Sequence, residues 1–472
     1  MRILVIGGGI CGLGTALLLG RDGHEVTLLE RDADPIPASS DAAWDHWQRK
    51  GVAQFRQPHN FMPGLRLLLE AELPEIQEAL GRAGAARFDL VNPLPPIFAD
   101  RAPRPIDEKL WTLTARRPVG EWVFARAAEH ARGVSIRRGV GVEALLTGAS
   151  AIDGIPHVAG VRTSDADELR ADLVVDATGR QSRSPQWLMA IGARPPYEEQ
   201  EDCGFTYYTR YFRGVQPQRL GGALTPLGSI SLLTLPGDRD TWSVTIFVTT
   251  GDQPLKGLRH EEPWMAAIGA CPLQAHWLQG EPISPVLAMS GIADRYRRFV
   301  VDDTPVATGF AAVADAWACT NPSAGRGLTV GFLHALRLRD ALRTHGDDPR
   351  ALVEEFDRRT QAEITPWYEA QIAVDRARFG EMVALREGRE PPPPAHDLAR
   401  RFGGLMSSIA ASPDLFRDAL EYIGTVTPLQ QILERPVVIQ RMAAAREALK
   451  GTPRPPTPGP TRSQLLEIAS RV

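Results

Sequence analysis

The strongest constraint in this 472-residue chain lies at its start. Arg2-Ile3-Leu4-Val5-Ile6 is a short apolar run rich in β-branched residues, the composition of a strand buried in a parallel sheet. It runs directly into Gly7-Gly8-Gly9-Ile10-Cys11-Gly12. Leu13 to Leu19 then continues as a helical stretch ending near Gly20 to Gly23. Gly7, Gly9 and Gly12 occupy G-x-G-x-x-G positions: the first permits the tight turn, the second lets backbone approach a pyrophosphate, the third lets helix and strand pack closely. The helix N-terminus adds free N–H donors and the positive end of a dipole. A second strand, His24 to Glu30, ends in a carboxylate 18 residues after Gly12, where an acid can bond adenosine ribose hydroxyls. Arg31, next in the chain, is counted with the same site. Strand, turn, helix, strand and acid together predict a dinucleotide-binding βαβ unit.

Two later segments repeat parts of this design. Arg170 to Val175 reads as a buried strand that runs into Asp176-Ala177-Thr178-Gly179-Arg180-Gln181-Ser182. Thr308-Gly309-Phe310-Ala311-Ala312-Val313-Ala314-Asp315-Ala316 does the same, then passes through Asn321-Pro322-Ser323-Ala324-Gly325-Arg326-Gly327 into a helix beginning at Leu328. In order and spacing over residues 1–345, the three segments resemble the motifs of the FAD-dependent monooxygenases related to p-hydroxybenzoate hydroxylase. The resemblance implies FAD as cofactor, with Asp176 and Gly179 at the cofactor and Asp315 bonding the ribityl chain. It also implies that Pro322, Gly325, Gly327 and Leu328 lie against the isoalloxazine pyrimidine ring. Arg117, ahead of a helix expected over Gly120 to Arg132, resembles an arginine placed near the cofactor, and Arg116 fits the same role. Two departures stand out. Ala314 occupies a position where the family usually has glycine, and a slight backbone adjustment is expected there. The Asp-Ala-Thr-Gly spelling of the middle motif is nearer the polyketide epoxidase, geranylgeranyl reductase and flavin halogenase branches.

The expected fold class is α/β, α+β overall: a Rossmann-like FAD-binding domain interleaved with an antiparallel-sheet substrate domain, followed by a helical C-terminal region. The domains are drawn at 1–85 plus 111–197 plus 298–345 for FAD, 86–110 plus 198–297 for substrate, and 346–472 for the helices. Phe205 to Phe212 alternates as a strand, and Ser229 to Leu235 and Trp242 to Val248 flank a Pro-Gly-Asp-Arg-Asp turn that predicts a hairpin. Breaks are expected at Pro391 to Pro394 and at Gly451 to Pro460, with a last helix near Ser463 to Ser470. There is no second Gly-rich dinucleotide turn, so electrons are expected from transiently bound NAD(P)H or from a partner flavin reductase.

A net charge of −4 gives no reason to expect nucleic acid as a partner, and Arg295, Arg297 and Arg298 read as a solvated face. Cys11, Cys203, Cys271 and Cys319 are far apart, with no metal-ligand spacing; buried free thiols are expected, and no metal. No apolar run is long enough to span a bilayer, and a strand beginning at Arg2 leaves no room for a leader, so a cytoplasmic protein is expected. The resemblance implies insertion of one atom of O2 into a small hydrophobic metabolite, by hydroxylation or epoxidation through a flavin C4a-hydroperoxide, of the kind found in secondary metabolism. Alternatives are a flavin-dependent reductase or dehydrogenase, a flavin halogenase (although Trp44-Asp45-His46-Trp47 does not match the halogenase segment), and a flavoprotein that only binds FAD. Arg56 and His59, in the polar segment Gly51 to Phe61, are candidates to contact flavin or substrate; the segment reads equally as a structural loop. A histidine such as His59 can titrate near neutral pH, and the sequence does not show its partner. Of Tyr207 and Tyr208, alternation sends one toward a substrate cavity and the other away. Substrate identity and oligomeric state are left open by the sequence.

Overall fold

The computed structural model describes residues 1–451 and 458–471. Arg2–Ile6 takes the centre of a five-stranded parallel sheet. Glu25–Glu30 and then Val134–Arg138 lie on one side of it, Leu173–Asp176 and Phe310–Ala312 on the other. A central parallel strand has no solvent side, so both faces must be apolar. Ile3 and Val5 accordingly join a core with the helices Ile10–Arg21, Arg117–His130 and Gly327–His345, while Leu4 and Ile6 enter a second core on the opposite face. A three-stranded antiparallel meander, Val142–Thr147, Val158–Thr163 and Glu168–Arg170, contributes Leu145, Val158 and Val161 to that second core. The strand expected to start at Arg170 is thus two strands. Arg170 ends the meander, and Asp172 makes the corner by accepting the Arg2 backbone N–H at 2.7 Å.

Between the fourth and fifth parallel strands the chain builds a six-stranded antiparallel sheet, with Leu224–Leu227, Ile230–Pro236, Thr241–Thr249 and Phe205–Arg213 as its main strands. The expected hairpin is present, with Leu235 opposite Ser243 and Pro236 opposite Trp242. Alternation divides the sheet. Tyr208, Phe212, Trp242, Val244 and Ile246 pack outward against Glu261–Gly269 and the last helix, Arg462–Ala469. Tyr207, Thr209 and Tyr211 point to the other face, toward the parallel-sheet half of the molecule.

The helix Arg117–His130 begins three residues earlier than expected because Pro118, with its preset φ, fits a first helical turn. Beyond residue 345 the chain is helical, around a core that includes Trp367, Leu405, Leu415 and Tyr422. The proline break falls between the helices Thr365–Arg386 and Asp397–Ser408. The expected second break lies mostly outside the described residues. Among the described residues no helix is long and apolar enough to cross a membrane, and all four cysteines are free, three of them buried.

Candidate functional site

The nucleotide turn behaves as its glycines require. Gly7 has φ +104°, and a Cβ there would lie 2.7 Å from the Ala177 carbonyl oxygen, so the first and middle motifs are in direct contact. A Cβ on Gly12 would sit 1.9 Å from the Gly7 carbonyl oxygen; only glycine lets this helix approach the strand. Gly9 differs: a Cβ there meets nothing within 4 Å, and no side chain caps the helix that Gly9 begins. The turn therefore presents an open cradle beside uncapped N–H donors, the arrangement a pyrophosphate needs.

Glu30 closes this end. Its Oε2 accepts the Gly8 N–H at 2.8 Å and Arg49 Nη2 at 2.7 Å, and its Oε1 accepts the Asp32 N–H at 2.8 Å. A carboxylate has about four lone-pair sites, so acceptor capacity remains on Oε1 for a ribose hydroxyl. Arg49 escapes the sequence reading. It is buried, and besides Glu30 it meets the Gly8 carbonyl oxygen at 2.9 Å, Asp32 at 3.3 Å and Glu121 at 3.4 Å. Arg31 lies at the rim, its Nη2 donating to Gln181 at 2.5 Å.

The middle and third motifs meet beyond this turn. Gly179 and Gly327 both abut Asp315, each with a Cβ direction 3.9 Å from an Asp315 side-chain atom. The Asp315 carboxylate is partly open and lies 3.6 Å from Arg180 Nε. Asp176 departs from its expected role. It is fully buried, and its oxygens take the Thr178 N–H at 2.8 Å, the Thr178 hydroxyl at 2.6 Å and the Ser182 hydroxyl at 2.6 Å. It holds the turn and does not face the groove. Arg295 and Arg297 also correct the expectation of a solvated face. Both are buried: Arg295 donates to the carbonyls of Arg180 and Asp315, and Arg297 to Ser182 and the Ala316 carbonyl. Turns at the ends of parallel strands leave carbonyls without partners, and these two arginines supply the donors. Arg298 is ion-paired with Asp357 at 2.8 Å.

Ala314 does not adjust its backbone away from the glycine conformation. It keeps φ +52°, and its Cβ lies 2.9 Å from where a Cβ on Gly331 would be. An L-residue in this region costs about 1–2 kcal/mol, and a β-branched one is a genuine outlier. Ala314→Val is therefore expected to destabilise the protein by about 2 kcal/mol or more, read as a lower denaturation midpoint; an unchanged midpoint would contradict the strained geometry.

The loop before the helix Gly327–His345 carries Pro322 and Gly325 (φ +67°), both partly open, and Leu328 is buried in the first turn that follows. Asn321 anchors the loop. Its N–H donates to Asp294 at 2.5 Å, and its Oδ1 accepts from the Tyr207 hydroxyl and from the Ser323 N–H. Tyr207 thus reaches the loop, and Tyr208 faces outward, the division expected of neighbours on a strand. Thr209 donates to Gln57 at 2.9 Å, and the Tyr211 ring packs edge-on against Trp44 at 4.9 Å. The sheet therefore roofs both the segment 44–57 and the loop at Asn321.

The other candidates sort clearly. Arg116 is buried in a pair with Asp238 at 2.6 Å, and it stacks over Trp44. Arg117 pairs with Glu121 at 2.6 Å and acts electrostatically on both Cys11 and His59, so of the two it is the one beside the nucleotide turn. Arg56 stacks over Trp44 and donates to the Trp44 and Trp47 carbonyls; it braces its loop. His59 does not titrate near neutral pH. Burial, reinforced by the Arg117 charge, pushes its imidazole down to about 3. An open cleft of about 900 Å³ lies between Leu17, Arg21, Trp122 and Arg126, and none of the three motifs' signature residues lines it.

The open cradle at Gly9, the acceptor at Glu30 and the carboxylate at Asp315 fit the two ends of an FAD molecule. The fold is shared with solved flavin enzymes, among them a probable FAD-dependent monooxygenase and a flavin-dependent halogenase. Residues 2–93 match the family described as FAD dependent oxidoreductase. The chain is similar to protein Rv3254 of Mycobacterium tuberculosis, 27% identical over 386 residues that cover 77% of each chain. Among solved structures it is similar in fold to the Diels-Alderase PyrE3 of pyrroindomycin biosynthesis (TM-score 0.58, 17% identity, 90% of this chain and 80% of that one). It is likewise similar to pqsL of Pseudomonas aeruginosa, described as a probable FAD-dependent monooxygenase (TM-score 0.57, 17% identity, 81% and 99%).

Proposed function

We propose that this chain is an FAD-dependent monooxygenase that hydroxylates or epoxidises a small hydrophobic metabolite. The observation that carries the reading is the inner face of the antiparallel sheet. Tyr207, Phe247 and Leu233 cluster there with Met382 and Phe379, and the Tyr207 hydroxyl reaches Asn321 at the start of the loop that carries Pro322 and Gly325. Bound FAD supplies the electron transfer and the oxygen chemistry. The protein's own residues supply everything else. Asp315 would hold the ribityl chain, and Glu30 and the uncapped turn at Gly9 would hold the adenosine and pyrophosphate. The glycine loop with the N-terminus of Gly327–His345 would supply N–H donors and a positive dipole end to negative charge on a bound flavin. The apolar roof excludes water from the reacting face. Two buried polar atoms on this side, the Tyr211 hydroxyl and Asn321 Nδ2, have no protein partner among the described residues and suit a substrate with one or two polar groups. NAD(P)H, bound transiently or acting through a separate flavin reductase, is the proposed electron source, with O2 as co-substrate.

The test is to purify the protein, record its visible spectrum, and follow NADH or NADPH oxidation with oxygen uptake across a panel of apolar metabolites, with and without an added flavin reductase. The expected result is a bound-flavin spectrum and substrate-stimulated oxygen uptake matched by a product one oxygen atom heavier. A reduced product formed without oxygen uptake would replace this reading with a reductase.

A further inference from the structure

Behind the flavin loop stands a buried cluster that the groove itself does not use. Asp375, on the helix Thr365–Arg386, is buried; its Oδ1 accepts the Ser323 hydroxyl at 3.2 Å and its Oδ2 accepts Gln371 Nε2 at 2.6 Å. Gln371 Oε1 is itself taken by Arg326 Nη1 at 2.6 Å, which fixes the amide with its nitrogen toward Asp375. A proton on Asp375 therefore resides on Oδ1, facing Ser323. This gives the serine hydroxyl two states. With Asp375 ionised, Ser323 O–H donates backward to the carboxylate. With Asp375 neutral, the carboxyl O–H donates to Ser323 Oγ, and the serine proton is free to turn toward the groove between Pro322 and Gly325.

We propose that Asp375 is a positioning residue whose proton sets the direction of the Ser323 hydroxyl and thereby how tightly the loop holds flavin, an inference that rests on the reading of the groove as an FAD site. Burial, reinforced by the charge of Asp294, pushes the Asp375 carboxyl up to about 7. The other groups facing it are Asp294 on Ala293–Arg298, Arg326 on the loop, Cys203 and Tyr207 from the antiparallel-sheet side, and Tyr422 on Pro413–Ile423. Burial drives the Tyr207 and Tyr422 phenols upward and the Cys203 thiol up to about 12. Asp294, pushed up by burial to about 6, is the second group that titrates nearby; it reaches the loop through the Asn321 N–H and not through Ser323.

The sign follows from the chemistry: raising the pH through neutrality ionises Asp375, turns the serine proton away from the groove and loosens the flavin. The experiment dilutes the holoenzyme and follows FAD release by flavin fluorescence across this range. Release from the wild type is expected to quicken about tenfold, the effect of one hydrogen bond. Asp375→Asn, which imitates the neutral acid, should stay slow at every pH, and Ser323→Ala should stay fast at every pH. Asp294→Asn should keep the inflection but move it to lower pH. If flavin is bound and both Asp375→Asn and Ser323→Ala retain the wild-type profile, the proposal is overturned alone. A preparation that binds no flavin overturns the groove reading together with it.

Discussion

Replacing Gly9 with valine is expected to give a protein that melts like the flavin-free wild type yet retains no FAD. Gly9 has φ −76° and ψ 172°, an extended conformation open to any L-residue, and its Cβ direction is empty. Beyond its chain neighbours, no protein atom lies within 4 Å of that Cβ, so a ligand bound there is what would oppose the side chain. Valine would occupy the space in which the pyrophosphate meets the helix N-terminus, and a loss of about 100-fold in affinity, or about 2.7 kcal/mol, is the expected scale. The flavin-to-protein absorbance ratio after gel filtration measures it. Gly12→Ala makes the contrasting control, because its Cβ would strike the Gly7 carbonyl oxygen at 1.9 Å. That variant should lose about 3 kcal/mol or more of stability as well as flavin. Full flavin retention by Gly9→Val would mean that the cradle is not where FAD binds.

The second large effect belongs to Arg49. Its guanidinium is buried among Glu30, Asp32 and Glu121. Arg49→Met keeps the volume and removes the charge, leaving these carboxylates to repel one another in a poorly solvated place. Breaking a buried ion pair from one side costs about 3–5 kcal/mol. In a chain of this length that lowers the melting temperature by about 4 °C. Flavin should be lost too, since Glu30 depends on Arg49 for its position. Arg49→Lys should recover part of the stability, because a single ammonium cannot span the same acceptors. A melting temperature unchanged in Arg49→Met would show that this network is not under load.

The first βαβ unit was legible because all its parts are local: an apolar run, glycines at fixed offsets and a terminal acid. The hairpin at Pro236 to Thr241 was legible for the same reason. Arg295 and Arg297 misled because a run of arginines looks solvated, and the carbonyls that bury them belong to residues as distant as Arg180 and Ser182. Asp176 misled because it stands where Glu30 stands, at the end of a parallel strand. The sign of its different duty was nearby, in the hydroxyls of Thr178 and Ser182, which turn its acceptors inward. Arg49 gave no sequence sign at all, since an arginine in a polar loop announces neither burial nor a partner. The strain at Ala314 was half legible: the missing glycine was visible, but whether the backbone or the side chain would yield depends on packing from Gly331.

The strand Phe205–Arg213 separates two structural duties by the parity of its numbering. Tyr208, Phe212 and their cross-strand neighbours Ile246 and Trp242 hold the outer layer, and substitutions there are paid in folding. Tyr207 and Tyr211, with Phe247 and Ser243 opposite them, look the other way. Substitutions in that odd-numbered set would therefore disturb the Asn321 loop and the Trp44 segment that Tyr207 and Tyr211 touch, and not the outer helices.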